Sequence, residues 1–164
     1  EERARGTDEL LATTLLTPNQ IVAGKLIATY AFVALALALS FVYPATSILR
    51  SGLGIGHLLA VYLGLFGLGI ALASVGLACS AFATSQLVAA ISAYAIAFVL
   101  YDFRWMAQFL PDRAAAAVDP LSMHPRFGPF AEGLVLGADL VYFAAYVGVA
   151  FALARLALDQ TRVR

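Results

Sequence analysis

The side chains that could perform acid–base or metal chemistry are few, and they lie in or beside the predicted outer loops. These candidates are His57, Asp102, Asp112, Asp119, His124, Glu132 and Asp139. A zinc protease helix carries two histidines four residues apart, and a serine hydrolase places its nucleophile between glycines. The sequence contains neither pattern, so an intramembrane enzyme is the least favoured class of function.

Two glycine-containing stretches invite comparison with phosphate-binding loops, and neither fits. The Gly-x-Gly-x-Gly run at 52–56 has no preceding strand and no parallel-sheet unit around it. Gly24 and Lys25 are followed by Leu26 instead of Ser or Thr, and Asn19 stands where the loop needs its first glycine. The chain therefore has no ATP-binding motif and needs no cofactor of its own. ATP and its magnesium, if they are used, bind to another polypeptide.

The composition predicts an all-α integral membrane protein. The chain is 62% hydrophobic and 12% charged, about half the charged fraction of soluble domains. Residues 26–49 and 58–101 contain no charged side chain, and about 20 apolar residues span a bilayer. Four transmembrane helices are predicted, at about 21–43, 57–82, 86–101 and 138–157.

Three further features of the sequence narrow the class of function. The net charge is zero, which gives no basic patch for nucleic acid. The single cysteine, Cys79, can form no internal disulfide or cysteine metal cluster. The predicted spans also lack a charged residue at mid-depth, whereas proton-coupled carriers usually have one. Any transport is therefore expected to use energy delivered from outside the bilayer.

Residues 102–137 interrupt the apolar pattern and predict short half-helices at the outer surface. Asp119–Pro120 and Gly128–Pro129 each resemble a helix start. In the second predicted span, small residues recur at helical spacing, which lets membrane helices approach closely. Packing within the chain is favoured over a dimer face for this stripe, which comprises Gly64, Gly67, Gly69, Ala73, Gly76 and Ser80.

Residues 7–16 predict a short amphipathic helix. Asp8 and Glu9 lie in its first turn, where negative charge suits the helix dipole, and Leu11 and Leu15 share a face. A helix of this length is marginal alone in water. It is therefore expected to rest on a membrane surface or in a groove of a partner.

A sharp corner follows this helix. Thr17 is the expected N-cap, Pro18 takes the first helical position, and Gln20 completes a capping box. Leu16 and Ile21 occupy the positions of a hydrophobic staple. We expect a rigid corner that joins a segment at 1–17 to a transmembrane domain at 18–164.

The distribution of charge and aromatic residues favours a cytoplasmic N-terminus. With four spans both ends lie on one side, and slightly more Lys and Arg residues then lie inside than outside, as the positive-inside rule requires. Aromatic residues of the kind that anchor membrane interfaces all fall near the proposed outer surface: Tyr43, Tyr62, Tyr101, Trp105 and Tyr142.

An ordered set of short motifs runs through most of the chain. Residues 1–25 contain EER, GT-x-ELL, TP and QIVAGK, and YLGLFGLG follows at 62–69, SQLVAA at 85–90 and HPRFGPFAEGLVLGADLVYF at 124–143. In this order they resemble the permease subunits of type-2 ABC exporters, in particular the gliding-motility and copper-enzyme-maturation branch. Such permeases have six spans, so the resemblance implies that these are the last four and that two more precede Glu1.

The resemblance also implies partners and site residues. Residues 7–16 would be the coupling helix, which docks on a separate ABC ATPase subunit in the cytoplasm. A second permease copy would pair with this chain in a bacterial inner membrane, with both ends of the chain cytoplasmic. The implied ATPase-coupling residues are Glu2, Thr7, Glu9, Leu10, Leu11, Thr17 and Pro18.

Several assignments remain open from the sequence. His124 could serve in a substrate gate, or could cap or pack a half-helix. Asp139 could line a pathway, although a helix-capping role is slightly favoured, and the role of Glu132 is undecided. The alternative to a permease is a membrane anchor that docks a cytoplasmic partner without transport. The substrate cannot be derived from these residues.

Overall fold

A computed structural model describes residues 17–42, 44, 46, 54–103, 105 and 108–162. Within these ranges every regular element is helical, and no strand occurs. The helices, in chain order, are α1 (Pro18–Ser40), α2 (Ile55–Phe82), α3 (Gln86–Tyr101), α4 (Asp112–Val118), a 3-10 turn (Asp119–Leu121), α5 (His124–Ala131) and α6 (Gly137–Arg162).

Three of these helices are long and apolar enough to cross a membrane. They contain the segments Asn19–Ser40, Ile55–Phe82 and Gly137–Gln160, with mean hydropathies of 2.0, 2.3 and 1.8. The prediction of an all-helical, multi-pass membrane protein is confirmed at this level. Helix α3 is also apolar, but its 16 residues extend only about 24 Å, less than the bilayer core of about 30 Å.

The start of α1 is built as the sequence predicts. The Thr17 hydroxyl accepts a hydrogen bond from the Gln20 backbone N–H at 3.4 Å, and Gln20 Oε1 accepts one from the Thr17 N–H at 2.9 Å. Pro18 takes the first helical position. Its missing N–H costs nothing there, because the first N–H groups of a helix have no partner within the helix.

Helix α2 is the centre of the bundle and packs against α1, α3, α5 and α6. Its small residues receive neighbouring side chains: an added Cβ would lie 2.5 Å from Phe130 at Gly64, 2.8 Å from Phe143 at Gly67 and 2.9 Å from Val33 at Gly69. These contacts confirm the predicted packing within the chain for the three glycines, whereas Gly76 has only Ala93 nearby, at 3.9 Å, and Ser80 is exposed. The absence of a Cβ lets each partner approach the helix backbone.

Helices α1, α2 and α6 meet at the end of the bundle where α1 begins. Val22 and Leu26 of α1 are buried with Ala154 of α6, with Leu77 and Ala81 of α2 packed against them. Farther along α1, the Tyr30 hydroxyl lies 2.6 Å from Ser74 Oγ of α2. The first half of α1 therefore packs against both α2 and α6.

The opposite end of the bundle holds residues 102, 103, 105 and 108–136, which we call the connector. Ser40 and Phe41 at the end of α1 contact Tyr62 near the start of α2, through a hydroxyl–hydroxyl distance of 3.0 Å and a T-shaped ring contact. Tyr101, where α3 ends, contacts the connector residue His124. Helices α2 and α6 thus run in the same direction, and α1 and α3 run opposite to them.

The connector folds back into the bundle. The Ser122 hydroxyl donates to the Tyr101 carbonyl and the Met123 N–H donates to the Leu100 carbonyl, each at 3.1 Å, so both satisfy the open end of α3. Tyr146 donates to the Leu121 carbonyl at 2.8 Å. Tyr142, nearer the start of α6, donates to the same carbonyl at 2.6 Å, so this turn packs beside the first turns of α6.

One local prediction in the connector is wrong. Gly128–Pro129 does not begin a helix, because α5 begins at His124 and contains Pro129. The Met123 carbonyl accepts hydrogen bonds from the Arg126 and Phe127 N–H groups at 3.1 and 3.2 Å, which sets the earlier start. The other predicted start is confirmed as a single 3-10 turn at Asp119–Leu121.

Candidate functional site

The most unusual polar feature of the described residues is an ion pair between α5 and the start of α6. Arg126 Nη1 of α5 lies 3.3 Å from Asp139 Oδ1 of α6. Asp139 is 2% exposed, and its Oδ2 has no hydrogen-bond partner. The Arg126 side chain is 38% exposed. A buried carboxylate oxygen without a donor is costly, so this pair marks the candidate site.

Local backbone structure positions both residues. The Leu136 carbonyl accepts from the Asp139 and Leu140 N–H groups, which places Asp139 in the first turn of α6, where negative charge suits the helix dipole. The guanidinium carbon of Arg126 lies 5.2 Å from the centroid of the Tyr142 ring, one turn further along α6. This cation–π contact holds the arginine over the start of the helix.

A recess of about 340 Å³ adjoins the pair. Its lining residues are Pro120, Ser122, Pro125, Arg126, Pro129, Leu136 and Asp139. Apart from Arg126, the lining side chains offer Asp139 no donor. The prolines lack an N–H group, and the single hydroxyl hydrogen of Ser122 is used by the Tyr101 carbonyl.

A close-packed apolar cluster includes the chain neighbours of two recess residues, Ser122 and Pro129. Met123, Phe130 and Phe143 are at most 2% exposed and pack around Ala71 of α2. The absence of a side chain at Gly64 lets Phe130 reach the α2 backbone. The connector is thereby fixed against the long helices, and the positions of Arg126 and Asp139 are fixed with it.

The structure brings only one of the three predicted gate or pathway residues to this recess. Asp139 lines it, and the capping role predicted for Asp139 is wrong, because Leu136 is at the N-cap position and the carboxylate pairs with Arg126. His124 is exposed and sits edge-on to Tyr101, with ring centroids 5.5 Å apart. It packs as predicted and does not cap α5, whose N-cap is Met123.

Glu132 is exposed and ends α5, where its backbone N–H donates to the Gly128 carbonyl at 3.2 Å. Its carboxylate is not among the groups that line the recess. Glu132 therefore lies at the end of α5, and its role in a gate stays a prediction.

The predicted ATPase-coupling residues fall mostly outside the described part of the chain. Thr17 and Pro18 form the start of α1. Five further residues lie beyond the described ranges, so the coupling helix itself stays a prediction: Glu2, Thr7, Glu9, Leu10 and Leu11.

Sequence reasoning misses the partners of Asp139. It treats Arg126 only as an outer cation, although this is the only charged side chain of α5. Tyr142 and Tyr146 are four residues apart, which places them on one face of α6. Both donate to the Leu121 carbonyl. That spacing is the signal in the sequence for a polar contact on this face.

Metal chemistry has no evident place in the described residues, where no group of three or more His, Cys, Asp or Glu side chains could hold an ion. What the arrangement offers instead is one arginine, one carboxylate with an unused oxygen, and a small recess. These groups can bind a polar head group.

No family model, curated protein or solved structure matches this chain. Its fold and composition define a helical, multi-pass membrane protein. Any more specific function has to be argued from its own residues.

Proposed function

We propose that this chain is the membrane-spanning permease subunit of an ATP-driven exporter of the type-2 ABC class. A separate ATPase subunit binds ATP and magnesium and hydrolyses the ATP. The observation that carries the proposal is the capped corner at Thr17–Gln20, which joins the predicted coupling helix at 7–16 to α1. The ordered motifs that resemble such permeases support the same conclusion.

The contacts of α1 offer a route for movement into the bundle. The corner has reciprocal hydrogen bonds, so a displacement of residues 7–16 would be passed to α1 instead of being absorbed by a loose joint. Within three turns of the corner, Val22 and Leu26 are buried against Ala154 of α6. Tyr30 then bonds to Ser74 of α2. ATP-driven movement of the coupling helix would therefore shift α1 against two neighbours at once.

The topology that we propose has four spans in this chain. Helix α3 is too short to cross the bilayer alone. Ser122 and Met123 of the connector donate hydrogen bonds to the carbonyls at the end of α3. Helix α3 and the connector would together complete the third crossing. The chain would supply the last four of six spans of a bacterial inner-membrane permease, with both of its ends cytoplasmic and a second copy beside it.

The distribution of charge supports an external energy source. In α1 the only charged residue is Lys25, near the start of the helix, and α2 and α3 contain none. Charged relay residues at mid-depth are the usual mark of proton-coupled carriers. Mechanical drive by an ATPase needs no such residue.

The test is to purify the full chain with the ATPase that co-purifies with it and to reconstitute the complex in proteoliposomes. The ATP hydrolysis rate and accumulation of candidate amphiphilic substrates would be measured in the same vesicles. Substrate-dependent stimulation together with ATP-dependent accumulation is expected. An ATPase that binds the chain but ignores every substrate, with no accumulation, would favour the membrane anchor instead.

A further inference from the structure

We propose that the recess beside Arg126 and Asp139 binds a zwitterionic head group that carries a primary ammonium and a phosphate, as in a phosphatidylethanolamine lipid. The inference depends on the geometry of this recess and not on whether the chain transports anything. The site needs three properties of its ligand: a hydrogen-bond donor, balanced charge and small size.

The need for a donor comes from Asp139. Its Oδ2 is buried without a partner, while Oδ1 has the 3.3 Å contact with Arg126. The remaining lining side chains are prolines, Leu136, and Ser122 with its hydrogen already used. A primary ammonium brings three N–H donors, whereas a choline group has none. Hydrogen bonding at Oδ2 would therefore favour ethanolamine over choline.

The need for an anion comes from charge balance. Arg126 and Asp139 neutralise each other, so a simple cation at Asp139 would leave a net charge in a largely apolar recess, which is costly. Arg126 has five N–H donors, and Nη1 alone contacts Asp139. Its remaining donors suit a phosphate oxygen. A zwitterion placed across the pair keeps the site neutral and uses both residues.

Size and position agree with a lipid head group. A volume of about 340 Å³ greatly exceeds the share of a single water, about 30 Å³, and lies at the small end of ligand pockets. Asp139 is in the first turn of α6, where the apolar span begins. Pro120, Pro125 and Leu136 of the lining are exposed. Phospholipid head groups lie at this level of a bilayer.

Because Oδ2 is buried, a ligand reaches it only when a neighbouring side chain moves. The guanidinium makes one oxygen contact and one ring contact with α6, and Arg126 is the more exposed member of the pair. We expect the ammonium to insert between Arg126 and Asp139, with Arg126 turning outward to the phosphate. The pair would exchange one direct contact for two bridged ones.

The test uses the full chain in detergent micelles without phospholipid. Short-chain phosphatidylethanolamine, short-chain phosphatidylcholine and free phosphoethanolamine are titrated separately, and binding is followed by native mass spectrometry and thermal unfolding. The ethanolamine lipid should bind at least about tenfold more tightly than the choline lipid, a difference of about 1.4 kcal/mol. Equal affinity would overturn the proposal, since water would then suffice at Oδ2.

Variants locate the site. D139N should abolish the ethanolamine preference, whereas D159N should retain it, because Asp159 is a carboxylate on the same helix in an exposed pair with Arg155. A preference that survives D139N would overturn the assignment. If D139N does not fold, a photoactivatable ethanolamine lipid is cross-linked to the native chain. Labels within 120–139 support the site, and labels confined elsewhere refute it.

Free phosphoethanolamine tests whether the site binds a soluble head group or only a whole lipid. Protection by phosphoethanolamine alone would show that the polar contacts suffice and would support a site open to soluble ligands. Protection only by the lipid would support an acyl-chain contribution beside the same site. If neither ligand changes unfolding or is retained, the proposal is wrong.

Discussion

Gly64 of α2 and Phe130 of α5 are in contact so close that a Cβ added to the glycine would lie 2.5 Å from the Cβ of the phenylalanine. The atom it meets is attached directly to the backbone and cannot rotate away. Gly64→Ala is therefore expected to force α5 off α2. The expected loss of unfolding free energy is about 1–3 kcal/mol, as for other overpacked cores, measured by unfolding in bicelles.

The control for this variant is Gly148→Ala. Gly148 lies inside α6 and is exposed, and a Cβ added there would meet no other atom within 4 Å. Helix propensity alone should make this change neutral or stabilising, by up to about 1 kcal/mol. Equal destabilisation by both substitutions would contradict the close α2–α5 contact.

Gly133 combines a left-handed backbone with crowded surroundings. Its φ is +83°, and an added Cβ would lie 2.5 Å from His57 Nδ1. Gly133→Ala is expected to cost at least about 1–2 kcal/mol from the backbone alone, measured as above. His57→Ala in the same chain should relieve only the steric part. Full rescue by His57→Ala would contradict the backbone explanation, and Gly137→Ala, with open space around it, is the control.

Tyr30 and Ser74 tie α1 to α2 through their hydroxyl groups. Ser74 donates its one hydrogen to the Ile70 carbonyl at 2.6 Å, so Tyr30 is the donor to Ser74. Tyr30→Phe should cost about 0.6 kcal/mol, the average for hydrogen bonds between membrane helices, and at most about 1.7 kcal/mol. A double-mutant cycle with Ser74→Ala measures the coupling. The control is Tyr94→Phe, which should leave stability unchanged because that side chain is 76% exposed. Zero coupling energy between Tyr30 and Ser74 would refute the hydrogen bond.

The Arg126–Asp139 pair should be asymmetric in its response to mutation. Arg126→Leu leaves a buried carboxylate without its arginine partner, and breaking buried pairs costs about 3–5 kcal/mol. Because Arg126 is 38% exposed, water can replace part of its contact, and a loss of about 1–3 kcal/mol is expected. Adding Asp139→Leu should recover most of that loss.

The comparison for this pair is Arg155→Leu, which breaks the exposed Arg155–Asp159 contact of 3.6 Å. Exposed pairs contribute about 0–1 kcal/mol, so its effect on unfolding should be small. A loss as large as that of Arg126→Leu, or no recovery in the double variant, would contradict the burial argument.

The coupling prediction concerns function and not stability. Glu9→Ala and Leu10→Ala should lower ATP-dependent transport severalfold or more while the chain still inserts and the ATPase still hydrolyses ATP, because the contact that transmits its movement is lost. Thr14→Ala, at a position of the same segment that is not among the predicted coupling residues, should transport normally. Transport is measured in proteoliposomes with the ATPase present. Normal transport by the first two variants would exclude residues 7–16 as the coupling element.

The features of this protein that can be predicted from its sequence are those that depend on residues close together in the chain. The capping box involves residues three apart, Thr17 and Gln20, so its chemistry is complete within one turn. The long spans depend on apolar runs that any window of the sequence reveals. The start of α5 could not be predicted as well, because the Met123 carbonyl accepts its first hydrogen bonds and Met123 is itself held by the Leu100 carbonyl of α3, a contact distant in sequence.

The sequence by itself determined the helical membrane class, the start of α1 and the packing role of the small residues in α2, because hydropathy, capping and side-chain size act locally. Only the tertiary structure decided that Asp139 meets Arg126, and that Tyr30 meets Ser74 across 44 residues. The sequence shows whether a helix face is apolar or polar, but not which other helix face it will contact. The candidate site arises from that choice of partners, since Asp139 is a buried, half-satisfied carboxylate only when the connector folds back onto α6.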